Sequence, residues 1–228
     1  MDIFKFNNIL VYRGIYAPVK SNMFVLMSGN VAVVFDPNEN EELLSLFHDN
    51  RIEKVHILLT HGHYDHISGV EWLKDNIKST VYCQEKCADR LANSKRPLAR
   101  LVAVVLANED KKDGGHRYAD FKSTYKPFTI TADKTFEKED HFAIGDLDFK
   151  VISTPGHSEG SACYILNGNV VFTGDTLLQD YPAITKFPGG DTKDYNDIAL
   201  PFLKSLDKNM IVMPGHGDPF VLSNTKMI

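Results

Sequence analysis

The sequence predicts a mixed α/β chain in which two β-rich stretches, each closed by helices, build two similar layers. Three observations carry that expectation. Short runs of β-branched and aromatic residues alternate with turn signals over residues 1–83, and the pattern resumes at Phe128. Between them, residues 84–126 place Leu98, Leu101, Val102 and Val105 at helical spacing. Four apolar runs also stop abruptly at a cluster of glycine with histidine or aspartate.

In the first stretch FKFNNILVY reads as a β run, followed by NMFVLMS (22–28), a Gly29-Asn30 turn and VAVVF (31–35), which is a hairpin pattern ending at Asp36-Pro37. Residues 41–47 read as a helix with Leu43, Leu46 and Phe47 on one stripe and acids in the first turn. A strand is expected at 55–60, a short helix at 69–76 with Val70 and Leu73 inward, and a strand at 79–83. In the middle stretch Pro97 is well placed to start a helix, and NEDKKDGG (108–115) reads as a polar break. The last stretch offers strands at FTITA (128–132), 147–154, 161–166, 170–173 and 210–213. A Pro/Gly-rich loop (181–191) leads to a helix at about 192–206 with Ile198, Phe202 and Leu206 on one face. With no linker or low-complexity tract, residues 1–228 are expected to form one domain carrying an insert at about 84–126.

Composition narrows the function classes. A hydrophobic fraction of 43% and a charged fraction of 24% match a globular chain and exclude disordered, collagenous and coiled-coil classes. The net charge of −5 argues against nucleic acid as a partner, and no apolar run approaches the length of a membrane span. Cys83, Cys87 and Cys163 are too few for a disulfide framework, and the N-terminus shows no secretion signal, so the expected location is the cytoplasm. The charge is uneven: residues 84–126 hold ten Lys/Arg against six Asp/Glu, a net +4, which leaves −9 for the remainder.

The chemistry concentrates at His61-Gly62-His63-Tyr64-Asp65-His66, directly after the run VHILLT. The same grammar recurs at Pro155-Gly156-His157, Gly174-Asp175 and Pro214-Gly215-His216. Loops leaving one edge of neighbouring strands converge, so these four would deliver five imidazoles and two carboxylates to one place. Such nitrogen and oxygen donors suit zinc, and also iron or manganese, and seven of them are too many for one tetrahedral ion. His61 and His63, two apart in an extended loop, share a side and can hold one ion with His157, while Asp65, His66 and His216 hold a second. Asp175 is then free to bridge. Two divalent ions about 3.5–4 Å apart hold a hydroxide at neutral pH and polarise a carbonyl. The charge sum of such a centre is about +1, which favours an anionic substrate.

The motifs THGHYDH, TPGH, FTGD and PGHGDP, in this order, resemble those of the metallo-β-lactamase-fold hydrolases. VVFTGDTLL followed by FPGGD and PGHG is similar to the glyoxalase II-like thioesterase branch. The resemblance covers most of the chain outside 84–126 and implies a four-layer αββα sandwich of two mixed sheets with a dinuclear site at one edge. It implies the same ligand set: His61, His63 and His157; Asp65, His66 and His216; Asp175 between them. An aspartate at 175, where secreted zinc β-lactamases typically have cysteine, argues against antibiotic hydrolysis. Only 12 residues follow His216, so the glutathione-binding helical domain of glyoxalase II is not expected.

The expected reaction is therefore hydrolysis of an acyl thioester of coenzyme A, carrier-protein or glutathione type by a hydroxide bridging two ions, with Asp65 first a ligand and also placed to orient the hydroxide. The partner is a small-molecule or carrier-linked acyl substrate. Lys95, Arg96 and Arg100 of the +4 insert are candidates to attract its phosphate, and Tyr181 and Lys186 are candidate substrate contacts. Alternatives are a mononuclear iron sulfur dioxygenase of similar fold, a lactone or ester hydrolase, and a metal-holding protein without turnover.

Overall fold

A computed structural model describes residues 1–6, 9–95 and 98–228, and among these the strands form two sheets of seven and six. The first sheet runs in chain order: β1 (Asp2–Phe6), β2 (Ile9–Tyr16), β3 (Ser21–Ser28), β4 (Val31–Phe35), β5 (Lys54–Leu58), β6 (Ser79–Gln84) and β7 (Lys134–Phe136). It is antiparallel as far as β4 and parallel from β4 to β7. The second sheet holds β8 (Glu139–Ile144), β9 (Leu147–Ser153), β10 (Ala162–Leu166), β11 (Val170–Gly174), β12 (Ile211–Pro214) and β13 (Phe220–Val221). Only β11 and β12 pair in parallel there.

Alternation along each strand divides the core into three. In β3, Phe24 and Leu26 face the other sheet, and in β4 so do Val33 and Phe35. They meet Phe149, Val151, Tyr164, Leu166 and Phe172 of the second sheet. The intervening Met23, Val25, Ala32 and Val34 point the other way, against helices. These are α1 (Glu41–Asp49) through Leu43 and Phe47, α3 (Val70–Asn76) through Val70 and Leu73, and α4 (Glu85–Leu91) through Cys87 and Leu91. Behind the second sheet, Cys163, Val171 and Val212 pack on Leu203 and Leu206. The result is the four-layer αββα sandwich that the resemblance implies. Asn40 starts α1 by accepting the Glu42 amide hydrogen at 3.0 Å, one of the donors a helix start leaves unpaired.

The structure corrects four sequence expectations. FKFNNILVY is two strands, because Phe6 pairs antiparallel with Ile9; Asn7 and Asn8 lie outside the described residues. The polar residues 108–113 do not break the helix. They continue α5 (Ala99–Asp113) on exposed turns until Gly114, whose φ of 77° ends it, and α6 (Arg117–Thr124) follows where a loop was expected. Pro97, the expected helix start, lies outside the described residues. FTITA is not a strand: Phe128, Ile130 and Ala132 serve instead as apolar cover over the helix side of the first sheet. In the last helix, α7 (Thr192–Asp194) passes through a π turn (Tyr195–Ala199) into α8 (Leu200–Ser205). The wider turn rotates the inward face to Ala199 and Leu203, and leaves Ile198 47% exposed.

Candidate metal centre

The four motifs do leave one edge of the sandwich together. After β5 the chain bends at Thr60 and passes through His61 to His63, which, extended at φ −79° and ψ 150°, precedes α2 (Tyr64–Ile67), the carrier of Asp65 and His66. His157 follows β9, Asp175 follows β11, and His216 follows β12. Backbone bonds tie these ends to one another: Ala162 N–H to Thr60 C=O at 2.8 Å, Gly215 N–H to Gly174 C=O at 2.8 Å, and Asn22 N–H to Gly215 C=O at 2.7 Å. Glycine is needed where the loops touch. A Cβ on Gly174, at φ 49°, would sit 2.3 Å from Thr60 Oγ1, and one on Gly215 would sit 2.1 Å from Asp175 Oδ1.

The seven side chains gather as two groups joined by Asp175. His61, His63 and His157 have ring centroids 4.6–4.8 Å apart, with His157 Nε2 2.9 Å from His63 Nδ1. Asp65 Oδ2 lies 3.4 Å from His66 Nε2 and 3.3 Å from His216 Nε2. Asp175 reaches both groups: Oδ2 is 3.5 Å from His157 Nε2, and Oδ1 is 3.5 Å from His66 Nε2. Each triad has donor atoms close enough to share one ion.

Charge and hydrogen bonding fit metal ions. The buried Nε2 atoms of His61, His63 and His66, and Asp175 Oδ1, have no hydrogen-bond partner, an arrangement that is costly in a protein interior unless a cation fills it. Burial, reinforced by the surrounding imidazoles, holds His61 and His63 well below the usual histidine range, so their nitrogens keep free lone pairs. Burial also lowers His157. Burial opposes charge on His66 as well, yet Asp65, Asp175 and Asp36 outweigh it and push His66 up to about 10. Asp65 and Asp175 are held below the usual carboxylate range despite burial, chiefly by His66 for Asp65 and by His216 for Asp175.

One functional residue escapes the sequence reading. Asp36, 3% exposed, accepts from His66 Nδ1 at 2.9 Å, from Thr60 Oγ1 at 2.5 Å and from the Thr60 amide at 2.8 Å. Thr60 Oγ1, its proton committed to Asp36, accepts in turn from His61 Nδ1 at 3.1 Å. One carboxylate thus fixes the ring orientation of a histidine in each triad and turns both Nε2 atoms inward. In the sequence Asp36 is only an acid between a strand and a proline; its φ of 49°, uncommon without glycine, shows in the structure alone. His157 Nδ1 is fixed likewise by the Ile184 carbonyl at 2.8 Å.

The candidate substrate residues separate. Tyr181 lines a cavity that opens over the centre, whereas Lys186, Lys95 and Arg100 are exposed and outside that lining. Arg96 lies outside the described residues.

Known proteins share this fold. The family model of the metallo-beta-lactamase superfamily matches residues 16–216. The probable metallo-hydrolase YqgX of Bacillus subtilis (strain 168) is 27% identical over 202 residues, covering 88% of this chain and 86% of that protein. Among solved structures, BLEG-1 B3 metallo-beta-lactamase is similar at a TM-score of 0.70 and 28% identity, over 94% of this chain and 95% of that one. TTHA1623, crystallised in a di-iron-bound form, is similar at a TM-score of 0.65 and 25% identity, over 93% of this chain and 96% of that one.

Proposed function

Because the chain belongs to the metallo-beta-lactamase superfamily, we propose that it is a dinuclear metal-dependent hydrolase that cleaves acyl thioesters. The observation that carries the reading is the position of Asp175, within 3.5 Å of a histidine of each triad. His61, His63 and His157 would hold one ion, Asp65, His66 and His216 the other, and Asp175 both. Zinc suits the donor set; iron is the alternative, and the di-iron neighbour supports keeping it. When bound, two such ions polarise an acyl carbonyl and bring the pKa of water toward neutrality.

The protein's own groups do the positioning. Asp36 and Thr60 aim His61 and His66, and the Ile184 carbonyl aims His157. Phe187 packs edge-on against the first triad, its ring 6.0 Å from His63 and 6.1 Å from His157. Asp65 and Asp175 line the cavity floor, facing the place where an acyl carbonyl would enter. Hydrolysis breaks the C–S bond, adds the oxygen of water to the acyl carbon and returns a proton to the departing thiol. No side-chain nucleophile is required. The test is a panel of thioesters, lactones, a chromogenic β-lactam and a persulfide, assayed on protein of known metal content. Thioester turnover by zinc-loaded protein is expected. Persulfide-dependent oxygen consumption with a single iron, or selective β-lactam cleavage, would overturn the reading.

A further inference from the structure

The cavity above the two triads has a volume of about 470 Å³, within the range of small-molecule sites, and His63, Asp65, Asp175 and His216 form part of its lining. Its remaining walls are apolar. α5 contributes Leu101 and Val105, and the chain after Asp175 contributes Leu178, Tyr181, Ile184 and Phe187. Among the described residues, no Lys or Arg lines it. The mouth is apolar too: Val105, Tyr181 and Ile184 are 44%, 70% and 49% exposed. Single exposed apolar residues are ordinary, but three around one opening, beside the candidate metal ligands, mark a binding surface.

Helix geometry explains why the basic insert presents this face. Successive residues are about 100° apart around a helix, so Leu101 and Val105 share one side of α5 while Arg100 projects elsewhere and is exposed. Ala99 and Leu106 are buried and anchor the helix, and Val102, buried as well, also lines the cavity. The insert therefore meets the centre through its aliphatic residues. A phosphate or carboxylate held against these walls, away from the ligand residues, would lose water without gaining a Lys or Arg partner.

We propose that this cavity binds the acyl group of the substrate, that the acyl group is uncharged and apolar, a medium-length alkyl or aryl chain, and that α5 is the specificity element. The proposal rests on the thioester reading above, but the cavity is tested apart from it. kcat/KM of zinc-loaded protein is measured for N-acetylcysteamine thioesters from acetyl to decanoyl. In parallel, calorimetry gives the affinity for matching alkyl ketones, in which a methylene replaces the thioester sulfur. Both should rise about fourfold per added methylene until the cavity fills. Val105→Asp on α5 and Ile184→Asp on the facing loop should flatten both slopes, with metal content and far-UV spectrum retained as the check on folding. Slopes that are flat in the wild type, or unchanged in both variants, overturn the proposal. Ketone affinity that climbs with length while no thioester is hydrolysed upholds the cavity assignment and overturns the thioester reading. Hydrolysis indifferent to length does the reverse.

Discussion

Asp36 is not among the seven proposed ligands, yet it touches His66 directly and His61 through Thr60. Removing such an outer carboxylate typically costs about 10–100-fold in metal affinity. Asp36→Ala is expected to lose metal to a competing chelator at that scale with its fold retained; unchanged affinity would show that the histidines need no such support. Asp175→Ala should lose both turnover and metal, since the variant removes the proposed ligand that lies 3.5 Å from a histidine of each triad; elemental analysis beside a thioester assay reads both. Gly215→Ala tests the close approach of the last loop. Its Cβ would fall 2.1 Å from Asp175 Oδ1 and 2.9 Å from His66 Cε1, so metal occupancy should drop, and near-normal occupancy would mean that the loop can shift aside.

Glycine with histidine or aspartate at or just past the ends of β5, β9, β11 and β12 made the centre legible at the level of elements, because the same local pattern recurs at four strand ends. The division of the core was not legible in β3 and β4, because both are apolar over successive residues and buried on both faces, so their sequence does not say which residue faces which layer. What stayed hidden has physical reasons. Asp36 acts through a backbone conformation that no residue type announces. FTITA has strand propensity, but Ile130 and Phe128 are spent covering the sheet rather than pairing with it. The π turn at Tyr195–Ala199 is a shift in hydrogen bonding with no compositional mark, so the inward face was misplaced by one residue at Ile198. Charge counting saw the lysines and arginines of the insert and not the aliphatic side of α5. Between the sheets, Phe35 stacks on Phe172 with centroids 3.9 Å apart and meets Tyr164 at 5.2 Å. Phe35→Ala should destabilise the fold by about 3–5 kcal/mol in urea denaturation; a loss below about 1 kcal/mol would mean the sheets do not depend on this contact.

Across the whole molecule, the centre draws four ligands from the end of the first sheet and three from the second, so bound ions would cross-link the two halves of the sandwich. Ligands that bind only the folded chain stabilise it by about 2.7 kcal/mol at a hundred times Kd, which for a chain of this size corresponds to roughly 5–10 °C in Tm. Chelation should lower Tm by that amount and readdition of zinc should restore it; an unmoved Tm would argue against a metal cross-link. The uneven charge also takes on a spatial meaning. The −9 part of the chain supplies Asp65 and Asp175, the two carboxylates among the proposed ligands, and the +4 insert keeps Lys95 and Arg100 exposed while offering the cavity an apolar helix face. The central claim is that two ions share Asp175, and it is tested most directly by the metal-to-chain ratio of zinc-equilibrated protein, measured by mass spectrometry of the elements. Two equivalents per chain, falling in Asp175→Ala, is the predicted result, whereas a single equivalent unaffected by that substitution would contradict it.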